Sequence, residues 1–130
     1  MQSEVQGEGP ILSSREALIG MLLMLDHSVT FSEETLRKFL REQSQWRPEF
    51  ENLFRTRKTE CGDKGDGLDN LLFYLLDLLL VETGQGFRVR RIMRDTVMEQ
   101  FKVAGILPRH EQRFRQDAER FAAAVKQTQS

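Results

Sequence analysis

The stretch Leu68-Asp69-Asn70-Leu71-Leu72-Phe73-Tyr74-Leu75-Leu76-Asp77-Leu78-Leu79-Leu80-Val81 decides the fold class, because large apolar or aromatic side chains fill all but three of its positions. A helix with almost no wet face has to be covered on nearly every side. Its length falls short of the roughly twenty residues that cross a bilayer, and Asp69, Asn70 and Asp77 interrupt it, so no membrane span is expected. The expectation is an all-α chain: a compact bundle of five to six helices around this central apolar helix, over about 68–82.

Working outward toward the N-terminus, residues 1–12 mix Gly, Gln and Glu without periodicity and read as a flexible tail. Ser13 and Glu16 have the spacing of a capping box, and the apolar run Ala17 to Leu25 follows at once, which predicts a helix over Ser14 to Asp26. Within it, Gly20 allows a neighbouring helix to come close. Ser32 is the expected N-cap of a second helix, with Glu33 and Glu34 complementing its dipole and Phe31 placed to staple against Leu36. Leu36, Phe39 and Leu40 make a narrow apolar stripe, leaving Arg37, Lys38 and Arg41 on a basic outer face. Trp46, Phe50, Leu53 and Phe54 mark a further short helix over Arg47 to Arg57, with Pro48 in its first turn. Lys58 to Gly67 is the longest expected internal loop.

Toward the C-terminus, Gly84 and Gly86 are read as the end of the apolar helix, and a new helix is expected to begin near Phe87. On a helical wheel, Val89, Ile92, Met93, Thr96 and Val103 share the expected core face, while Val97, Met98 and Phe101 lie across from it. Gly105 stops this helix, Pro108 suits the first turn of the last one, and Phe114, Ala118, Phe121 and Val125 form its stripe. That last helix reads as amphipathic and peripheral. No strand, internal repeat or sustained heptad is expected, so residues 13–126 form one helical domain, with 127–130 a second flexible tail.

Charge is unevenly placed along the chain. Residues 1–85 carry nine Lys or Arg against fifteen Asp or Glu, whereas residues 86–115 carry eight against three. Such a split hints at acidic and basic faces and at charged partners. The single Cys61 forms no intramolecular disulfide, and the start of the chain lacks the basic and apolar regions of a secretion signal, so a reducing, cytoplasmic setting is expected.

Catalytic, cofactor and metal sites are not expected. His27 and His110 stand near helix ends with no motif around them, and Cys61 has no His or second Cys nearby in sequence. The run Asp63-Lys64-Gly65-Asp66-Gly67-Leu68-Asp69 fails the calcium-loop spacing, and one Cys with two scattered His falls short of the common zinc sets. Glu33 and Glu34 are explained by helix capping.

The strongest functional signal is the cluster Arg88, Arg90, Arg91 and Arg94. Arg88 and Arg91 share a polar stripe with Asp95, Glu99 and Lys102 and read as solvated. Arg90 and Arg94 line up with Val97 and Phe101, a basic and apolar strip suited to a protein partner. The expected function is a non-enzymatic protein-protein interaction module, as a regulator, adaptor or dedicated chaperone, with Arg90, Arg94, Val97 and Phe101 as partner-binding residues. The alternative is a nucleic-acid-binding regulatory protein in which these arginines join Arg109, Arg113 and Arg115 on phosphates. A helix-turn-helix with Thr35, Arg37 and Lys38 as readers is weakened by the long connection Asp26 to Phe31. Two leucine patterns, Leu68 to Leu72 and Leu75 to Leu79, fit helix docking into grooves, but core packing explains them; a helix so apolar also leaves a homodimer open.

Overall fold

The computed structural model describes residues 12–45, 47–54 and 67–129, and among them the chain is a helical bundle with one small hairpin. The elements are α1 (Ser14–Met24), α2 (Glu33–Gln43), α3 (Pro48–Glu51, continued by a 3-10 turn over Asn52–Phe54), α4 (Gly67–Leu78), β1 (Leu80–Thr83), β2 (Gly86–Val89), α5 (Arg91–Val103) and α6 (Ile106–Gln129). No helix among the described residues is long and apolar enough to cross a membrane.

The expected caps are present. Ser13 accepts from the Glu16 N–H, while the Glu16 side chain accepts from the Ser13 N–H, closing the box that starts α1. Ser32 accepts from Thr35 N–H at the start of α2. Pro48 opens α3, where its missing N–H costs nothing. Gly105, at φ +79, turns the chain between α5 and α6. Trp46, most of the Lys58 to Gly67 loop with Cys61, and the 1–11 part of the N-terminal tail lie outside the described residues, as does the end of the helix expected to run to Arg57.

α1, rather than α4, is the most enclosed helix. Every residue from Ala17 to Leu23 is buried, and α6 is its main neighbour, with α3 and α5 against other sides. Its Leu, Ile and Met side chains surround the axis, which only an interior helix tolerates. Gly20 provides the close approach: the ring of Phe114 on α6 occupies the space a side chain would need. α6 is accordingly not peripheral. Its buried stripe of Phe114, Ala118, Phe121 and Val125 faces the core, and the helix continues to Gln129, past the end expected at 126. Phe121 stacks edge-on against Phe31, with ring centroids 5.1 Å apart, and tilts against Phe39 at 5.2 Å, tying α2 to α6.

α4 is amphipathic in its setting despite its composition. Leu68, Leu71, Leu72 and Leu75 are buried, so both leucine patterns serve the core, whereas Phe73 is 78% exposed and Tyr74 partly so.

The helix expected over 68–82 ends at Leu78, and the chain then forms a strand. β1 pairs antiparallel with β2 in the register Leu80↔Val89, Val81↔Arg88, Glu82↔Phe87 and Thr83↔Gly86. The glycines expected to stop the helix instead make a hairpin turn: Gly86 has φ +138, and Thr83 Oγ1 accepts from the Gln85 N–H. Phe31 extends the sheet by one residue, exchanging backbone bonds with Phe87 at 3.0 and 2.7 Å. A Cβ at Gly86 would collide with the Phe31 carbonyl, so glycine is required there on two counts. α5 therefore begins at Arg91, not near Phe87.

Candidate functional site

α5 carries the residues singled out from the sequence, and packing decides which way its two apolar faces point. Val97 is 2% exposed and Phe101 is 8% exposed, with Phe101 packed 6.4 Å from the ring of Phe114. Ile92 and Val103, expected in the core, are 80% and 81% exposed. Of the expected core face, Val89 is buried and Met93 packs against the core, whereas Ile92 and Val103 face out and the expected free face of Val97 and Phe101 is covered. A wheel shows that two apolar stripes exist; it does not show which one α1 and α6 will cover.

Arg90, the exposed N-cap of α5, and Arg94, half-buried in its first turn, both turn toward backbone of their own chain. Arg90 Nε donates to Leu80 O, at the start of β1, at 3.0 Å, and Nη2 to Leu76 O, in the last turn of α4, at 3.4 Å. Arg94 Nη1 reaches Leu25 O, the C-cap of α1, at 3.5 Å. Carbonyls at helix ends have no partner within the helix, and the negative end of the dipole favours a cation there. Arg94 therefore reaches the end of α1, and Arg90 joins the end of α4 to the start of β1 while remaining exposed, as Arg88 and Arg91 are. The four expected partner-binding residues do not form one exposed strip.

The outward side of α5 has a different chemistry. Asp95, Thr96, Glu99, Gln100, Val103 and Ala104 line an open groove of about 670 Å³ along the helix, and Ile92 stands one turn beyond it. Asp95 and Glu99 are exposed and make no ion pair with any described residue. Exposed Ile and Val beside unpaired carboxylates are a surface on which water is poorly held by the apolar groups and the charges are free to meet a cation.

The other arginines proposed for phosphate contact are partly engaged. Arg113 pairs with Glu49 of α3 and approaches Asp117 one turn on, and Arg115 pairs with Glu111 at 2.6 Å. Arg109 is exposed. Arg37, proposed as a reader of bases, bridges Glu33 at 2.9 Å and Asp69 of α4 at 2.5 Å, and so ties α2 to α4.

The most buried charges lie between α3 and α6. Asp117 is fully enclosed and accepts from Arg47 Nη2 at 3.2 Å, with Arg113 Nε at 3.8 Å. Burial pushes the Asp117 carboxyl above its ordinary range, against the pull of Arg47 and Arg113. Two carboxylates facing two guanidiniums make a neutral cluster, a fastening between helices that sequence spacing did not show. Glu49 and Arg47 are remote from α6 in the chain, so only the fold brings the four together.

The histidines lie apart. His27 is in the exposed turn after α1, 3.6 Å from Asp26, whose own carboxyl is held below its usual value by bonds from the Ser28 N–H and hydroxyl. His110 packs beside Phe114, and burial together with Arg113 and Arg109 lowers its pKa, favouring neutral imidazole. No group of three or more His, Cys, Asp or Glu among the described residues is placed to hold a metal ion. Comparison with protein-family models, curated proteins and solved structures returned no match in any of the three.

Proposed function

We propose that this chain is a non-enzymatic protein-binding module, acting as a regulator, adaptor or dedicated chaperone, and that its contact surface is the outward face of α5. The observation carrying this reading is the exposure of Ile92 and Val103 along one side of a helix whose opposite side is sealed into the core. Two aliphatic groups three turns apart on one side, with Val103 lining an open groove and Ile92 one turn beyond it, match the way a helix presents anchors to another protein. Elsewhere on the surface, Phe73 on α4 is exposed, and Tyr74 beside it carries the Arg15 guanidinium 4.9 Å over its ring.

The reading replaces the expected strip by its opposite face. Val97 and Phe101 reach a partner only by leaving the core and Arg94 only by releasing Leu25 O, while Arg90 is exposed but already bonds the Leu76 and Leu80 carbonyls. The nucleic-acid alternative has less support than the sequence suggested, since Arg90, Arg94, Arg113 and Arg115 all have partners within the chain.

The test is quantitative affinity purification from the native source with two baits, the wild-type chain and Ile92→Ser/Val103→Ser. A protein enriched by the first and lost with the second is the expected result. Identical capture by both baits, with the variant folded by circular dichroism, refutes the assignment of this face.

A further inference from the structure

We infer that the outward face of α5 takes an amphipathic helix with a basic polar edge, with Ile92 and Val103 meeting its aliphatic side chains and Asp95 and Glu99 its Lys or Arg. The inference rests on the reading of α5 as a docking face and adds the chemistry of what docks.

The length fits a helix. Ile92 and Val103 lie on one side of α5 and, at 1.5 Å rise per residue, are about 16 Å apart along its axis. A helix laid along that distance offers anchors at i, i+3 or i+4, i+7 and i+11, and Thr96 between the two aliphatic residues is small enough for one to settle against it.

The sign of the charge narrows the partner. Asp95 and Glu99 stand one turn apart within the span from Ile92 to Val103, and Arg91 and Lys102 on the same helix do not come within ion-pair distance of them. An apolar or acidic helix placed over Ile92 and Val103 would strip water from both carboxylates and return nothing. A basic edge instead supplies charge-assisted hydrogen bonds, short and strong once water is displaced. The same carboxylates argue against nucleic acid and against a second copy of the chain. An antiparallel two-fold that sets Ile92 against Val103 of another copy has its centre near Val97, and it would crowd Asp95 and Glu99 of both molecules together.

The experiment titrates the full chain into three fluorescein-labelled, helix-stabilised peptides of about fourteen residues that share one leucine stripe and differ only in flanking Lys, Gln or Glu. Wild type, Asp95→Lys/Glu99→Lys and Ile92→Ser/Val103→Ser are compared; all four positions are exposed, and circular dichroism checks the fold. The Lys peptide is expected to bind saturably and at least about tenfold more tightly than the Gln and Glu peptides. The double Lys variant is expected to reverse the order in favour of the Glu peptide, and the double Ser variant to lose the Lys peptide.

Equal binding of the Lys and Gln peptides, still lost in the double Ser variant, would overturn the charge inference and leave the docking face standing. Lys-peptide binding that survives the double Ser variant would place it elsewhere and overturn both. No binding of any peptide at about millimolar protein would overturn the inference, since a specific docking face has to hold its partner at least that tightly. Sedimentation showing a wild-type dimer that the double Ser variant abolishes would give the face to a second copy, and would overturn it as well.

Discussion

Replacing Gly20 with Ala should destabilise the bundle, although glycine in the middle of a helix normally weakens it. In an exposed helix the change gains about 1 kcal/mol. At Gly20 the new methyl would stand 2.5 Å from Cε1, Cε2 and Cζ of Phe114. Carbon atoms settle at about 3.5 to 4.0 Å, so roughly 1 Å of separation has to be found. The ring has little room to retreat, because Phe114 is fully buried with Phe101 and His110 beside it. Moving α6 bodily would instead loosen the largest helix pair in the fold. Overpacking of this kind costs about 3 kcal/mol at its upper end, and subtracting the propensity gain leaves a net loss of about 2 kcal/mol. Urea unfolding followed by circular dichroism would show it as a midpoint lower by about 1 M. Phe114→Leu in the Gly20→Ala background shortens the opposing side chain, and the two changes should be coupled by about 1 kcal/mol or more. A Gly20→Ala chain as stable as wild type, or more so, would show that α1 and α6 do not meet in this way.

Three further outcomes follow from the same packing. Phe101→Ala should cost about 3 kcal/mol and Ile92→Ala less than about 0.5 kcal/mol, measured by the same unfolding curves; equal losses would mean that α5 is rotated from the orientation described. Arg90→Ala should cost about 1 kcal/mol by leaving the carbonyls of Leu76 and Leu80 without their donor, whereas Arg88→Ala, which releases neither carbonyl, should fall within about 0.5 kcal/mol; equal effects would deny Arg90 its role in joining α4 to β1. For Asp117, folding raises the carboxyl pKa, so its contribution to stability is fully present below the unfolded value near 3.8 and is lost as pH rises through the folded value. The stability of wild type relative to Asp117→Asn should therefore increase as pH is lowered through the window just above 3.8, and a flat or opposite trend in urea midpoints would show that the two arginines outweigh burial.

Local signals were legible where a residue satisfies its own backbone. The Ser13 and Glu16 box, Ser32, Pro48 and Gly105 act within a turn of themselves, and each is found where its spacing places it. The helical class was readable for the same reason, as was the stripe on α6. The hairpin was not, because Leu79, Leu80 and Val81 continue the apolar run of α4 without a break, and strands of four residues are too short to display alternation. What makes β1 a strand is its partner, β2, and the contact of that partner with Phe31. The choice between α1 and α4 as the innermost helix, and between the two faces of α5, also depends on neighbours distant in the chain. Of the Arg90, Arg94, Val97 and Phe101 strip, Val97 and Phe101 are buried, Arg94 is half-buried, and Arg90 is the exposed N-cap that precedes the helix.

The pairing of α1 with α6 has a consequence for how the molecule is made. Every other element is synthesised between them, so α1, apolar on all sides, emerges long before the surface that shelters it exists. Closing the core requires contacts between distant parts of the chain, an arrangement that slows folding and prolongs the exposure of sticky intermediates. A ribosome stalled before Phe114 and Phe121 would hold a nascent chain with the seat for those rings standing open, and such chains should be the species that chaperones retain.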